Sequence, residues 1–488
     1  MLKPRSDIRL EAKHAAFAYQ MQAVEAVKGL TYAALFHEQG LGKTKIGIDL
    51  GLQWLAAGQV DTVLVVTKRG LVQNWSEEIR AHTHIVARVI DQNHASNFYA
   101  LNSPARIYLA HYEVFRSEEK RLALFLKTRR VGVILDESHK IKNPDAEISK
   151  AFHRLSDLFA RRIIMTGTPV ANRPYDLWSQ IFFLDKGESL GTDFSVFRGE
   201  LDLRNDLWAD EKRRRRFEEA LESLFARIER FTVRETKDSA GIQLPAKNIE
   251  NIAVRLEAEQ RKLYDNYQAE LRAEIVRNGV LIEDDAEDIL KRLLRLVQIA
   301  SNPALVDHSY SRIPGKFPVL VSLVERAISE STKIIVWTNF IDNASWLAEQ
   351  LSSHGSVCVH GSRTIEERNA AIQAFKTDPA IRVLVATPGA AKEGLTLTMA
   401  SHAVFFDRSF SLDDYLQAQD RIHRISQNKT CYVWNLIAAG SVDEWVDSLL
   451  TAKRLAAQLA QSDISPEDYQ HLANYDFGQI IRNVLGLE

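Results

Sequence analysis

At 488 residues the chain exceeds what one ordinary hydrophobic core serves, so two or three domains are expected. A composition 45% hydrophobic and 26% charged is that of a folded globular chain, and 62 Lys+Arg against 64 Asp+Glu, net −2, exclude an overall positive field, so any nucleic-acid contact must use a local basic groove. Cys358 and Cys431 form no C-x-x-C, no window approaches 18 consecutive apolar residues, and the N-terminal MLKPRSDIRLEAKH lacks an apolar core; neither a zinc or disulfide framework, a membrane span nor a signal peptide is expected, and an intracellular, cytoplasmic or DNA-associated setting is.

The first predicted element is an amphipathic helix starting near Tyr19, within FAYQMQAVEAV. Gln20 on it is a candidate reader of an adenine edge, since a glutamine amide both donates and accepts. An apolar run, Tyr32 to Phe36, then meets FHEQGLGKTK, and helical apolar spacing follows from Ile46 to Trp54. The Gly-rich stretch is therefore a turn between strand and helix, where a phosphate-binding loop belongs. Gly40, Leu41 and Gly42 would bring backbone N–H groups onto phosphate oxygens, Lys43 would reach the β- and γ-phosphates, and the Thr44 hydroxyl would ligate Mg²⁺. The usual G-x-x-x-x-G-K-[ST] loop opens with Gly where this sequence has His37, and a Gly-rich turn before an ordinary helix is the competing reading.

Further strand-like runs follow at Thr62 to Val66, Arg106 to Ala110, Val131 to Leu135 and Arg161 to Met165, separated by helical segments. Near-continuous apolar strands alternating with helices imply a parallel sheet covered on both faces, with functional groups at the carboxyl ends of its strands. Asp136 and Glu137 stand at one such end, where the first can hold Mg²⁺ and the second can orient or deprotonate an attacking water. Thr166 and Thr168, in TGTP, stand at another and could couple the phosphate site to whatever lies above it.

These blocks carry a family resemblance. DESH (Asp136 to His139) after a phosphate loop, followed by TGTPVANRPYDLW, resembles the Swi/Snf-type ATPases of helicase superfamily two, whose loop commonly reads D-E-M-G-L-G-K-T and also lacks the first Gly. KRGLVQNWSEE, from Lys68, and His111-Tyr112-Glu113 resemble two blocks that in the family face the nucleic-acid backbone. On that resemblance Lys68, Asn74 and Tyr112 are groove candidates, although the family usually has Pro at the place of Lys68.

From Leu184 to Leu244 charged helices replace the strand pattern. They include KRRRR, Lys212 to Arg216, for which a solvated helix face, a duplex-contacting patch and a targeting signal compete, the solvated face being the usual case. FTVRETKDSAGIQLPAK, Phe231 to Lys247, is similar to the family's R-x-x-K and L-P-x-K exit from a helical insertion. A breaker, Ile313-Pro314-Gly315, precedes a second set of strand-like runs: Lys333 to Thr338, Arg382 to Ala386, Ala403 to Asp407 and Thr430 to Leu436. TPGAAKEGLTL, with Thr387 and Gly394, resembles the family's fifth motif, Thr396 standing where Asn is usual. In QAQDRIHRISQ, Gln417 to Gln427, Arg421 and Arg424 are three apart and predicted on one helix face, where both guanidinium groups could meet a γ-phosphate. Q-A-x-x-R-x-x-R-I-x-Q is specific to this family.

The expected fold is thus α/β, two RecA-like parallel-sheet lobes with a helical insertion between them: 1–184, 185–312, 313–455 and a helical tail, 456–488. The resemblance implies a monomeric ATP-dependent motor on double-stranded DNA, using Mg²⁺ at the interlobe cleft. It assigns phosphate and metal to Gly40, Gly42, Lys43, Thr44 and Asp136, water to Glu137, transition-state charge to Arg421 and Arg424 beside Gln417, and coupling to His139, Thr166 and Thr168. A strand-separating DNA or RNA helicase shares that engine. A nucleic-acid-binding scaffold with a degenerate core would lack Lys43, Glu137 or the arginines, and all are present.

Overall fold

The computed structural model describes residues 9–91, 93–170, 172–202, 211–278, 286–390 and 396–473. The chain divides into two compact units: residues 1–202, 219–243 and 460–462 form one, and 203–218, 244–459 and 463–488 the other. Among the described residues no helix is long and apolar enough to cross a membrane.

The first unit runs α1 (Ala18–Val27), β1 (Tyr32–Leu35), α2 (Lys43–Ala56), β2 (Thr62–Thr67), α3 (Val72–His82), β3 (Arg88–Ile90) and α4 (His94–Asn102). It continues through β4 (Ile107–His111), α5 (Tyr112–Ser117), α6 (Glu119–Thr128), β5 (Val131–Asp136), α7 (Glu147–Leu155), β6 (Arg161–Met165), α8 (Asp176–Asp185) and the two-residue β7 (Thr232–Val233). These strands form one seven-stranded sheet in the order β3-β4-β2-β5-β6-β1-β7, with parallel pairings. β2 and β5 are buried along their whole length, as TVLVVT and VGVILD require of strands covered on both faces. One face packs through Trp54, Trp75, Ile79, Ile134 and Ile163.

The second unit has six parallel strands, β8 (Lys247–Val254), β9 (Lys333–Trp337), β10 (Ser356–Val359), β11 (Val383–Ala386), β12 (Ala400–Phe405) and β13 (Cys431–Ala438), in the order β10-β11-β9-β12-β13-β8. Its two faces pack separately, around Phe317, Leu320 and Trp434 on one side and Trp337, Phe375 and Phe405 on the other. A further cluster, with Tyr264, Leu296 and Trp445, joins helices Ala258–Asn278, Ala286–Ser301 and Val442–Ala460. The fold is two RecA-like parallel-sheet lobes.

Four strands add to those read from the sequence. β3, β7 and β10 have three, two and four residues, too few for an alternation to register. β8 lies inside the stretch read as helical insertion, yet it pairs along its full length with β13. It is an edge strand with exposed Asn248 and Glu250, so its polarity resembles a loop.

Candidate functional site

In the first sheet β5, β6 and β1 are consecutive neighbours, and all three run parallel. At about 4.8 Å between strands, their carboxyl ends span roughly 10 Å. Topology alone therefore brings together the turn after β1, Asp136 and Glu137 at the end of β5, and Thr166 after β6.

The turn after β1 adopts left-handed backbone at Gly40 (φ 90°) and Gly42 (φ 71°), and α2 starts at Lys43. Gly42 also abuts Gln20: a Cβ there would lie 2.5 Å from the Gln20 amide nitrogen and displace it, in addition to the strain of a side chain at this positive φ. That amide donates to the Leu41 carbonyl at 3.1 Å, while its oxygen accepts from the Phe17 N–H at 3.0 Å. Tyr19 donates to the same Leu41 carbonyl. Gln20 is buried and in this structure braces the loop through its amide. The Lys43 ammonium donates to the carbonyls of His37 (2.9 Å) and Glu38 (3.3 Å). Thr44 is half-buried in the first turn of α2.

His37 is fully buried; burial first, then the Lys43 charge, pushes its imidazole down to about 4. Where the usual loop has glycine, this one carries a neutral ring whose backbone carbonyl serves the lysine.

Asp136 is 7% exposed. Its Oδ2 accepts from the Trp75 indole N–H at 2.8 Å and from the Thr67 hydroxyl at 3.2 Å, and its backbone carbonyl accepts from the Tyr112 hydroxyl at 2.8 Å. Burial and then the Glu137 charge push the Asp136 carboxyl up to about 6, against the opposing pull of Trp75, Lys43 and Thr67. Glu137 itself is one of four non-glycine residues at positive φ (55°) among the described residues, a strained conformation that persists only where the surrounding structure holds it. His139 Nδ1 lies 3.3 Å from Glu137 Oε2. Two adjacent carboxylates, one buried and raised, together with a threonine hydroxyl make a hard oxygen donor set, and a divalent cation would offset their repulsion, so Asp136 and Thr44 suit Mg²⁺.

After β6, the Thr166 N–H donates to the Leu35 carbonyl of β1, and the Thr168 N–H donates to the Thr166 hydroxyl. A Cβ on Gly167 would meet the Gln39 side chain at 2.8 Å, so TGT lies directly against the Gly-rich turn after β1. One contributor escaped the sequence reading. Lys237, in R-x-x-K, ion-pairs with Glu38 of the loop at 3.0 Å, and its N–H donates to the same carboxylate at 2.8 Å. The pairing of β7 with β1 brings it there; the R-x-x-K spacing was visible, its target was not.

Of the groove candidates, Asn74 is exposed on α3 and Lys68 is half-buried just before it. Tyr112 is fully buried and does not face a groove; its hydroxyl is spent on Asp136. Thr387 is 7% exposed at the end of β11. Gly394 lies outside the described residues.

Arg421 and Arg424 are not on a helix, contrary to the expectation from their spacing. Helix Leu412–Gln419 stops before them, and the chain turns through i to i−3 bonds, Arg421 N–H to Ala418 and Ile422 N–H to Gln419. Tertiary bonds outbid helix continuation: the Gln427 amide donates to the carbonyls of Ile422 (2.8 Å), Thr398 (3.2 Å) and Ala400 (3.0 Å), and the Arg421 carbonyl accepts from Leu397. Arg421 is buried; Arg424 is half-buried and donates to the Asp420 carbonyl and, at 2.8 Å, to the Thr396 hydroxyl. Gln417 is buried on the preceding helix and donates to Asp413 at 2.8 Å.

The chain is similar to an uncharacterised ATP-dependent helicase of Mycoplasma genitalium, 27% identical over 446 residues, which cover 89% of this chain and 41% of that protein. It is 26% identical over 478 residues to the DNA repair and recombination protein RAD54-like of Gallus gallus, covering 86% of this chain and 62% of that one. It thus spans less than two thirds of the length of either relative. Among solved structures, the Sulfolobus solfataricus SWI2/SNF2 ATPase core in complex with dsDNA aligns over 98% of both chains with 26% identity and a TM-score of 0.42. The helicase conserved C-terminal domain matches residues 315–426, and the SNF2-related domain matches residues 17–305, more than half of the sequence. The chain belongs to the SNF2-related family.

Proposed function

We propose that the chain hydrolyses ATP with Mg²⁺ and uses the energy to move along double-stranded DNA. The observation that carries this reading is the convergence of Lys43, Asp136 and Glu137 at neighbouring tips of one parallel sheet, with Gln20, Gly167 and Lys237 packed against the same loop. Backbone N–H groups from Gly40 to Lys43 receive the phosphates, and Lys43 exchanges its loop carbonyls for phosphate oxygens. Asp136 and Thr44 would hold the cation, which when bound would supply neutralisation of phosphate charge. Glu137, oriented by its left-handed backbone and by His139, aligns water and accepts its proton. Arg421 and Arg424 supply positive charge to the transition state, with Gln417 and Gln427 fixing the segment that carries them.

DNA enters this reading from the RAD54-like relative's name and from the family resemblance of the segments at Lys68 and Asn74. On the same resemblance Thr387 is the candidate DNA contact in the second unit, and Gly394 of the same motif is assigned to the nucleotide. The test is the ATPase rate measured in parallel with no polynucleotide, duplex DNA, single-stranded DNA and RNA. Greatest stimulation by duplex DNA is expected, and equal rates in all four would overturn the motor reading.

A further inference from the structure

The connection proposed to face the duplex, β2–α3, and the neighbouring β4–α5 connection both send a side chain to the same buried residue. α3 carries exposed Asn74, and the next residue, Trp75, is 1% exposed and donates its indole N–H to Asp136 Oδ2 at 2.8 Å. Thr67, which ends β2 immediately before Lys68, donates its hydroxyl to the same oxygen at 3.2 Å. Tyr112, the first residue of α5 after β4, donates to the Asp136 carbonyl at 2.8 Å from a fully buried position. Asp136 is thus fixed at its carboxylate from the β2–α3 connection and at its backbone from the β4–α5 connection. Both side-chain donors fall on Oδ2, which leaves Oδ1 for the cation.

We infer that Trp75, Thr67 and Tyr112 are positioning residues that transmit DNA contact on α3 and its preceding turn to the metal-binding carboxylate, so that duplex binding tightens the Mg²⁺–nucleotide site. The inference rests on the motor reading above. A phosphate contact at Lys68 or Asn74 restrains the start of α3, and the adjacent Trp75 carries that restraint to Oδ2 through a charge-assisted bond in a dry core. By linkage, duplex DNA must then lower the Mg²⁺ concentration needed for ATP binding by the same factor by which Mg²⁺–ATP tightens duplex binding.

The experiment uses the full chain carrying Glu137→Gln, so that no turnover occurs, and follows anisotropy of a fluorescent ATP analogue across Mg²⁺ concentrations, with and without a mixed-sequence duplex. Duplex should lower the Mg²⁺ half-point by about fivefold or more, the lower end of ordinary coupling between sites. Adding Trp75→Phe, which keeps a buried ring and removes the N–H, should raise the half-point roughly tenfold and abolish the duplex-induced shift, a hydrogen bond to a charged group being at stake. Thr67→Val should act in the same direction with a smaller effect, and it serves if Trp75→Phe does not fold. Trp54→Phe is the matched control, since Trp54 is 1% exposed in the same core cluster and its indole N–H has no partner among the described residues. It should lower thermal stability while leaving the half-point and its shift intact.

No duplex-induced shift in the Glu137→Gln chain would overturn the relay, as would a normal half-point and shift in both Trp75→Phe and Thr67→Val. Those results leave the motor reading standing provided that the chain binds ATP and duplex; a chain that binds neither loses both.

Discussion

Glu137 and Lys43 follow strands β5 and β1, with β6 between them, and substitution should separate their roles. Glu137→Gln keeps the shape of the side chain but cannot accept a proton, so nucleotide binding should persist while turnover falls at least about 100-fold, the usual scale for a general base. Lys43→Ala removes the ammonium that now satisfies two loop carbonyls and should weaken nucleotide binding itself. Equilibrium binding of labelled ATP beside single-turnover hydrolysis reads both; parent-rate hydrolysis by Glu137→Gln would remove it as the base. His37 makes a different prediction. Its folded pKa is depressed to about 4 against an ordinary 6.5, so the unfolded chain binds the extra proton first as pH falls. The stability its neutral form contributes is therefore complete above about 6.5 and is lost progressively down to about 4, a span worth on the order of 3 kcal/mol. Asp136, raised to about 6, contributes the opposite slope over much of that range, so the quantity to follow is the difference in unfolding free energy between the parent and His37→Asn, which should grow from about pH 4 to 6.5; a difference that does not change with pH would refute the assignment.

At the scale of elements, the long buried strands of both sheets were legible because covered parallel strands are written as unbroken apolar runs, and the loop, DESH and TGT were legible because each sits at the end of such a run. What stayed hidden was set by tertiary partners. Nothing local to Tyr112 announces that its hydroxyl reaches β5, and nothing in R-x-x-K announces that Lys237 reaches Glu38. QAQDRIHRISQ has helical composition throughout, yet the carbonyls that Gln427 satisfies belong to residues 398, 400 and 422, and these bonds stop the helix at Gln419. That turn is testable as an element. Arg421→Ala and Arg424→Ala should depress DNA-stimulated turnover on the order of 10³-fold with little change in nucleotide affinity, as for other arginines acting on a transferring phosphoryl group. Gln427→Leu should remove the two amide N–H donors shared among three carbonyls and lose stability by about 2 kcal/mol. It should also lower turnover without touching nucleotide, by loosening the segment that holds both guanidinium groups. Undiminished stimulation by DNA in both arginine variants would make them ordinary structural residues.

For the molecule as a whole, the charge balance decides how DNA can be held. Net charge is −2, so attraction to phosphate must come from a few local side chains, and the fall of affinity with salt should be moderate in slope and nearly independent of sequence. Arg213, Arg215 and Arg216 of KRRRR are exposed candidates for such a contact, although Arg215 is already paired with Glu211, and Arg214 is half-buried 3.7 Å from Glu218, which limits what the helix can offer. A motor that holds the duplex by its backbone has no need to part the bases, because backbone contacts carry no sequence information and persist on an intact helix. We therefore expect the chain, supplied with ATP, to displace the third strand of a triplex and to leave a forked duplex paired. Both substrates should be run at the same low salt, where binding is strongest, and then at rising salt, where displacement should fade in step with binding. Separation of the fork without triplex displacement would refute duplex tracking and establish the strand-separating helicase in its place.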